Sequence, residues 1–228
     1  MKADSPFASV APRGARRPRI EDPRFYLWFD TEFSTLDVER AWPLQVALMV
    51  TDTRLRRVCP PQEDVRAVIR LPRGAPLSPW VRRHLSDLLR RCRSKEAVST
   101  EEADRRLAAL VDHTVGRPRR KESLRPVLAG NSVHADWRIA QRFFPRLAAR
   151  LNYRHLDVTA LKLQWWARRH RDDEEEFVKE NVAQIRRLFP EAVIGEIERH
   201  DAYYDVQASV AELAFYRRRL CRRGLFSD

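Results

Sequence analysis

The sequence predicts an α/β fold built on a mixed five-stranded sheet. An early run of adjacent apolar segments reads as an antiparallel meander. A later strand–helix–strand–helix series requires parallel pairing. Between the two, the spacing of apolar residues changes from strand-like to helical.

The first strand runs from about Arg24 to Asp30 and opens on the aromatic, apolar stretch Phe25-Tyr-Leu-Trp-Phe. Asp30 and Glu32 follow two positions apart, so in an extended chain they share one face. Two acids on one face at the end of a buried strand repel each other and cost desolvation energy. A divalent metal between them is the usual compensation. Taken alone, the stretch fits equally well a strand that has ended in two solvated acids. A turn around Thr35–Trp42 leads into a second buried strand, Pro43–Asp52. Pro60 and Pro61 then interrupt the chain before a third strand from about Val65 to Leu71.

Helical spacing begins at Ser78, a cap followed by Pro79 in the first turn, with Val81, Leu85, Leu88 and Leu89 on one face. Thr100-Glu-Glu-Ala starts another helix that carries Leu107, Leu110 and Val111. The basic run Arg117–Arg125 is loop-like. Arg125–Gly130 is a short strand ending at a glycine, and Asn131–Asp136 turns into a helix with Ile139, Ala140, Phe143 and Leu147. Tyr153–Asp157 is the fifth strand, and Val158 to Arg169 the helix after it. The acids of residues 171–180 read as a solvated face or a helix start, with one or two short helices before Arg199. His200–Asp205 opens a last helix, with Val206, Val210 and Leu213 on its apolar face and a basic tract at Arg217–Arg223.

At 228 residues and 43% hydrophobic composition the chain suits one domain with a substantial core. No apolar run approaches the ~20 residues of a membrane span. Cys59, Cys92 and Cys221 are widely separated, which points to a reducing compartment such as the cytoplasm and away from a zinc site. The net charge of +12 comes mostly from arginine and favours polyanionic partners, nucleic acid first. Residues 1–23 hold Pro, Ala, Ser and Arg without apolar periodicity and read as a flexible basic tail. An organelle transit peptide is the alternative for that tail, with Asp4 and the early proline against it.

Asp136 lies on the same helical stripe as Ala140, Phe143 and Leu147, which turns its carboxylate toward the sheet. Asp205 sits in the first turn of another apolar helix. Either acid alone is equally well explained as a partner for a helix dipole. Together with Asp30 and Glu32, they put four carboxylates at element ends. His200, five residues before Asp205, is a candidate general base beside such a cluster.

The order Asp-x-Glu, Asp, His-x4-Asp resembles the DEDDh 3′–5′ exonucleases of the ribonuclease H-like fold, and more narrowly oligoribonuclease. Asp30-Thr-Glu32-Phe-Ser-Thr-Leu36-Asp37 matches the first motif of that family, and Leu128-Ala-Gly130-Asn131-Ser132-Val-His-Ala-Asp136 the second. His200-Asp-Ala-Tyr-Tyr-Asp205 matches the third, and Asn152-Tyr153-Arg154-His-Leu156-Asp157-Val158-Thr159 is similar to the segment after the second. The resemblance implies a three-layer α/β/α domain over residues 24–228 whose sheet is antiparallel in its first three strands and parallel in its last two. It implies two divalent ions, Mg²⁺ or Mn²⁺, held by Asp30, Glu32, Asp136 and Asp205, with His200 as proton acceptor. It implies that Leu36 wedges between terminal bases, that Asn131 and Ser132 meet the substrate backbone, and that Trp80 and His84 contact a base. Tyr153, Arg154 and Thr159 match a cap that closes on a 5′ phosphate from the partner subunit, which implies a homodimer.

The activity implied is 3′–5′ hydrolysis of short single-stranded RNA, down to dinucleotides, into nucleoside 5′-monophosphates. Residues 171–199 are longer and more acidic than the equivalent family segment, and Thr35 replaces a family glycine. These departures keep a broader exonuclease on RNA or single-stranded DNA as the alternative. A non-catalytic nucleic-acid-binding module is the reading from a different class. Keeping every acid of an otherwise uncompensated cluster argues against it.

Overall fold

In the computed structural model, which describes residues 24–168, 175–195 and 200–222, the apolar run after Arg24 continues as one strand through both acids. β1 is Phe25–Phe33, ending three residues later than the sequence suggests. It is extended because antiparallel pairing with β2 (Pro43–Asp52) persists as far as Phe33 opposite Pro43, with a register irregularity between Glu32 and Phe33. The expected basic tail 1–23 and the acids at 172–174 lie outside the described residues.

β3 (Val65–Val68) pairs antiparallel with β2 and stops before the expected Leu71. Past Val68 the chain turns to another partner: Ile69 bridges Val98, and the Arg70 N–H donates to the Val98 carbonyl at 2.8 Å. β4 (Val127–Gly130) runs parallel to β1, and β5 (His155–Asp157) parallel to β4. The sheet order is β3-β2-β1-β4-β5, so β1 is the strand at which pairing changes from antiparallel to parallel. Tyr153 and Arg154 fall outside β5, because Asn152 Oδ1 captures the Arg154 N–H at 2.9 Å in a local turn.

Two helices replace expected longer ones. The segment capped by Ser78 is α1 (Pro79–His84) and α2 (Ser86–Arg91), broken at Leu85, although Val81, Leu85, Leu88 and Leu89 are all buried as their spacing predicts. After α3 (Thr100–Thr114), α4 (Val133–Phe143) ends where Pro145 restricts the backbone of Phe144. Leu147 therefore belongs to α5 (Pro145–Ala148). The buried Asp104 carboxylate accepts from the Arg146 and Leu147 N–H groups, both at 3.0 Å, and ties α5 to α3.

α6 (Val158–Arg168), α7 (Val182–Leu188) and α8 (Ala202–Arg222) cover the opposite face. Alternation along β1 divides the core: Trp28 packs with α6, α7 and α8, while Leu27 and Phe29 pack with α3, α4 and α5. That is a three-layer α/β/α arrangement around a mixed sheet. Gly130, at the end of β4, permits a close approach to β1. A Cβ there would sit 3.1 Å from the Phe29 carbonyl and 3.3 Å from a Val133 methyl. The approach brings the start of α4 against the residue that precedes Asp30.

Candidate active site

Three elements deliver acids to one edge of the sheet. β1 supplies Asp30 and Glu32 on the face covered by α8, and α8 supplies Asp205 in its first turn. Carboxylate oxygens of these three lie within 4.8 Å of one another. Asp136, in the first turn of α4, stands beside them but outside that convergence; its Oδ1 accepts from the Thr31 hydroxyl at 2.6 Å. Thr31 points to the other face of β1, so one strand contacts acids from both helical layers.

The cluster is electrostatically strained when no cation is bound. Burial pushes the Asp30 carboxyl well above the usual carboxylate range, and Asp136, Asp205 and Glu32 add to the shift. Burial and then Asp205 push Glu32 to about 8. Asp136 is raised to about 7, chiefly by burial, against the hydrogen bond from Thr31. Burial also raises Asp205, while Lys179 and His200 pull it back. Folded, metal-free protein therefore binds more protons than the unfolded chain between about pH 4 and pH 8, so stability falls as pH rises through that window. Thermal unfolding in EDTA should show a melting temperature that declines from pH 5 to pH 8, with Mg²⁺ flattening the decline. A metal-free melting temperature that rises over that range is the contrary result.

The residues fit a hard divalent cation. The donors are all carboxylate oxygens, and Asp205 Oδ1 is buried with no hydrogen-bond partner.

His200 stands in the loop that enters α8. It is exposed, its backbone is left-handed at φ 60°, and it acts electrostatically on Asp205. The next residue is fastened: Asp201 accepts from the Tyr203 and Tyr204 N–H groups at 2.9 and 3.0 Å and from Gln45 Nε2 at 2.7 Å. Gln45 sits opposite Glu32 in the β1–β2 register, so the acid pair and the histidine loop share one anchor. The Trp80 ring meets His200 edge-on at 4.8 Å and stacks on His84 at 4.7 Å. The Ser78 N–H donates to the Ser34 carbonyl at 2.9 Å, which ties the start of α1 to the end of β1.

The remaining expected contacts divide. Ser132 and Thr159 are brought together, the Ser132 N–H donating to Thr159 Oγ1 and to Asp157 Oδ1, each at 3.0 Å. Asn131 turns its amide inward to Glu212 on α8 at 2.8 Å, leaving only its buried Oδ1 without a partner. Leu36 is 87% exposed at the tip of the loop after β1. Tyr153 is 57% exposed, with the Arg154 guanidinium 4.5 Å over its ring.

Sequence reading passes over three residues at the site. Gln45 is the polar interruption of an apolar strand, a readable signal, and Asp201 is an aspartate ahead of a helix, a readable cap. Lys179 Nζ lies 2.6 Å from Asp205 Oδ2. It follows an acidic run expected to be a solvated face, and its partner is remote in sequence, so no local pattern marks it. The same segment buries Phe177.

A carboxylate cluster thus stands at the end of the central strand of a mixed sheet, with His200 in the loop that enters α8. A family model described as exonuclease matches residues 27–213, and the chain belongs to that family. It is 30% identical over 202 residues to an oligoribonuclease of Pseudomonas paraeruginosa, covering 87% of this chain and 97% of that protein. A probable oligoribonuclease of Schizosaccharomyces pombe is 30% identical over 165 residues, and the match covers 71% of this chain but 59% of that longer protein. Among solved structures, the zinc-bound E. coli exonuclease I–single-stranded DNA complex superposes with a TM-score of 0.62 at 16% identity, covering 90% of this chain and 43% of that one. That likeness concerns the fold.

Proposed function

We propose that this protein is a metal-dependent 3′–5′ exoribonuclease that hydrolyses short oligoribonucleotides to nucleoside 5′-monophosphates. The observation that carries the reading is the convergence of Asp30, Glu32 and Asp205, with Asp136 beside them, next to His200. The family and the oligoribonucleases among its relatives support the choice of reaction and substrate. Bound at these carboxylates, two divalent ions such as Mg²⁺ or Mn²⁺ supply Lewis-acid charge and an acidified water.

The chain's own residues do the rest. Asp30, Glu32, Asp136 and Asp205 hold the ions. A nitrogen of the His200 imidazole takes a proton from the attacking water. The new P–O bond forms as the bond to the 3′ oxygen breaks, and the phosphate stays on the released nucleotide. Trp80 and His84 offer an aromatic face for a base, Leu36 a wedge, and Ser132 with Thr159 a polar wall. Exposed Tyr153 with Arg154 suits a 5′ phosphate cap on a second subunit. Exposed Leu163 and Trp166 on α6 add apolar surface that fits a homodimer. Buried free thiols at Cys59 and Cys92 support a reducing compartment, the cytoplasm. Among the described residues no helix is long and apolar enough to cross a membrane.

The test is cleavage of end-labelled RNAs from dinucleotides to about 20 nucleotides, with Mg²⁺, Mn²⁺ or EDTA. The expected result is mononucleotide release that requires metal and is fastest on the shortest strands. Equal rates at every length overturn the short-substrate assignment. Loss of metal dependence overturns the mechanism.

A further inference from the structure

The carboxylate cluster already has a cation built against it. Lys179 Nζ touches Asp205 Oδ2 at 2.6 Å and also acts on Asp30 and Glu32, although its side chain is 42% exposed. Its position is not that of a loose surface lysine. The Tyr204 hydroxyl, one residue before Asp205, donates to the Lys179 carbonyl at 2.7 Å. The preceding Val178 N–H donates to Gln184 Oε1, and Gln184 Nε2 returns a bond to the Glu176 carbonyl, both at 2.8 Å. Phe177 is buried with its ring 6.2 Å from that of Phe215. Strap 175–181 is thus pinned to α7 and α8 on both sides of the lysine, and the ammonium is delivered to the acids by a fixed backbone.

We propose that Lys179 is a tethered counter-cation that competes with divalent ions for the cluster and must leave Asp205 Oδ2 when an ion binds there. Three carboxylates facing one ammonium are less costly to hold together than three facing none, so the lysine lets the site fold before metal arrives. The same contact weakens metal affinity, since an incoming ion has to displace a bound charge. Once displaced, the ammonium stays beside the cluster because its backbone is clamped. The inference rests on the metal-cluster reading of the site.

Mn²⁺ titration of the whole, metal-stripped protein without nucleic acid, by calorimetry or by electron paramagnetic resonance of free Mn²⁺, tests it. Lys179→Met should bind Mn²⁺ about tenfold more tightly than wild type, while its melting temperature in EDTA falls at pH 8. Lys179→Arg, which keeps the charge, should match wild type in both measurements. Should the methionine variant fail to fold without metal, Lys179→Gln takes its place in the titration. Unchanged or weaker Mn²⁺ binding by the neutral variants, with wild type binding normally, overturns the competition alone. Absence of Mn²⁺ binding by wild type overturns the metal-cluster reading and the inference with it.

Discussion

Replacing Asp30 with asparagine is expected to lower turnover by about 10³-fold or more while leaving the fold intact. Asp30 is the acid on which the others converge: its carboxyl is perturbed by burial and then by Asp136, Asp205 and Glu32 in turn. Removing its charge takes away an oxygen donor needed for a divalent ion. It also removes three repulsive contacts from the metal-free state. Asparagine keeps the shape, so the packing of Trp28 and Phe29 on either side of the strand is undisturbed. Single-turnover cleavage of a dinucleotide should collapse, and the melting temperature in EDTA at pH 8 should rise. A gain of about 1 kcal/mol corresponds to ~2–4 °C for a chain of this length. Turnover near the wild-type value would remove Asp30 from the metal set. Loss of turnover together with a lower melting temperature would mean a structural defect instead.

The second large effect belongs to His200. Removing a general base costs about 10²–10⁴-fold in the chemical step. The choice of substitution matters, because His200 holds a left-handed backbone at φ 60°. Alanine there adds backbone strain, whereas asparagine is among the residues that adopt this conformation most readily. His200→Asn should therefore lose kcat with unchanged melting temperature and unchanged Mn²⁺ affinity. Asp201 and Gln45, which fasten the loop, are still in place in that variant. Retention of more than about a tenth of wild-type kcat would place the proton acceptor elsewhere. Weakened Mn²⁺ binding would make His200 part of the ion-binding set.

Much of the fold is legible from residue spacing. The apolar runs give the first four strands, and the change from period two to helical period precedes the parallel pairing. Boundaries are less legible because partners, rather than propensity, set them. β1 continues past Asp30 because Pro43–Gln45 are there to pair with it, and β3 ends at Val68 because Val98 offers another bridge. The helix after Ser78 breaks at Leu85 without a proline or glycine to announce it.

At the site, the acids and His200 can be picked out because each occupies the end of an element, and element ends are what a sequence shows best. Lys179 cannot, since its meaning depends on a strap folding back onto α8 from an acidic run. Asn131 is recognisable as part of a motif, yet its amide is committed to Glu212, a contact across 81 positions that no local pattern encodes.

The position of β1 has a consequence for how such a protein can diversify. As the strand where pairing changes direction, it has a hairpin connection leaving one side and a strand–helix crossover on the other, so its carboxyl end is a topological switch point. The groups proposed for chemistry stand on β1, α4 and the entry to α8, inside the three-layer frame. The groups proposed to meet the polymer, Leu36, Trp80, His84, Tyr153 and Arg154, stand on the loop after β1, on α1 and on the turn before β5. On that proposal, lengthening or exchanging those segments would change which strand is admitted and at what length, with the hydrolytic machinery left as it is.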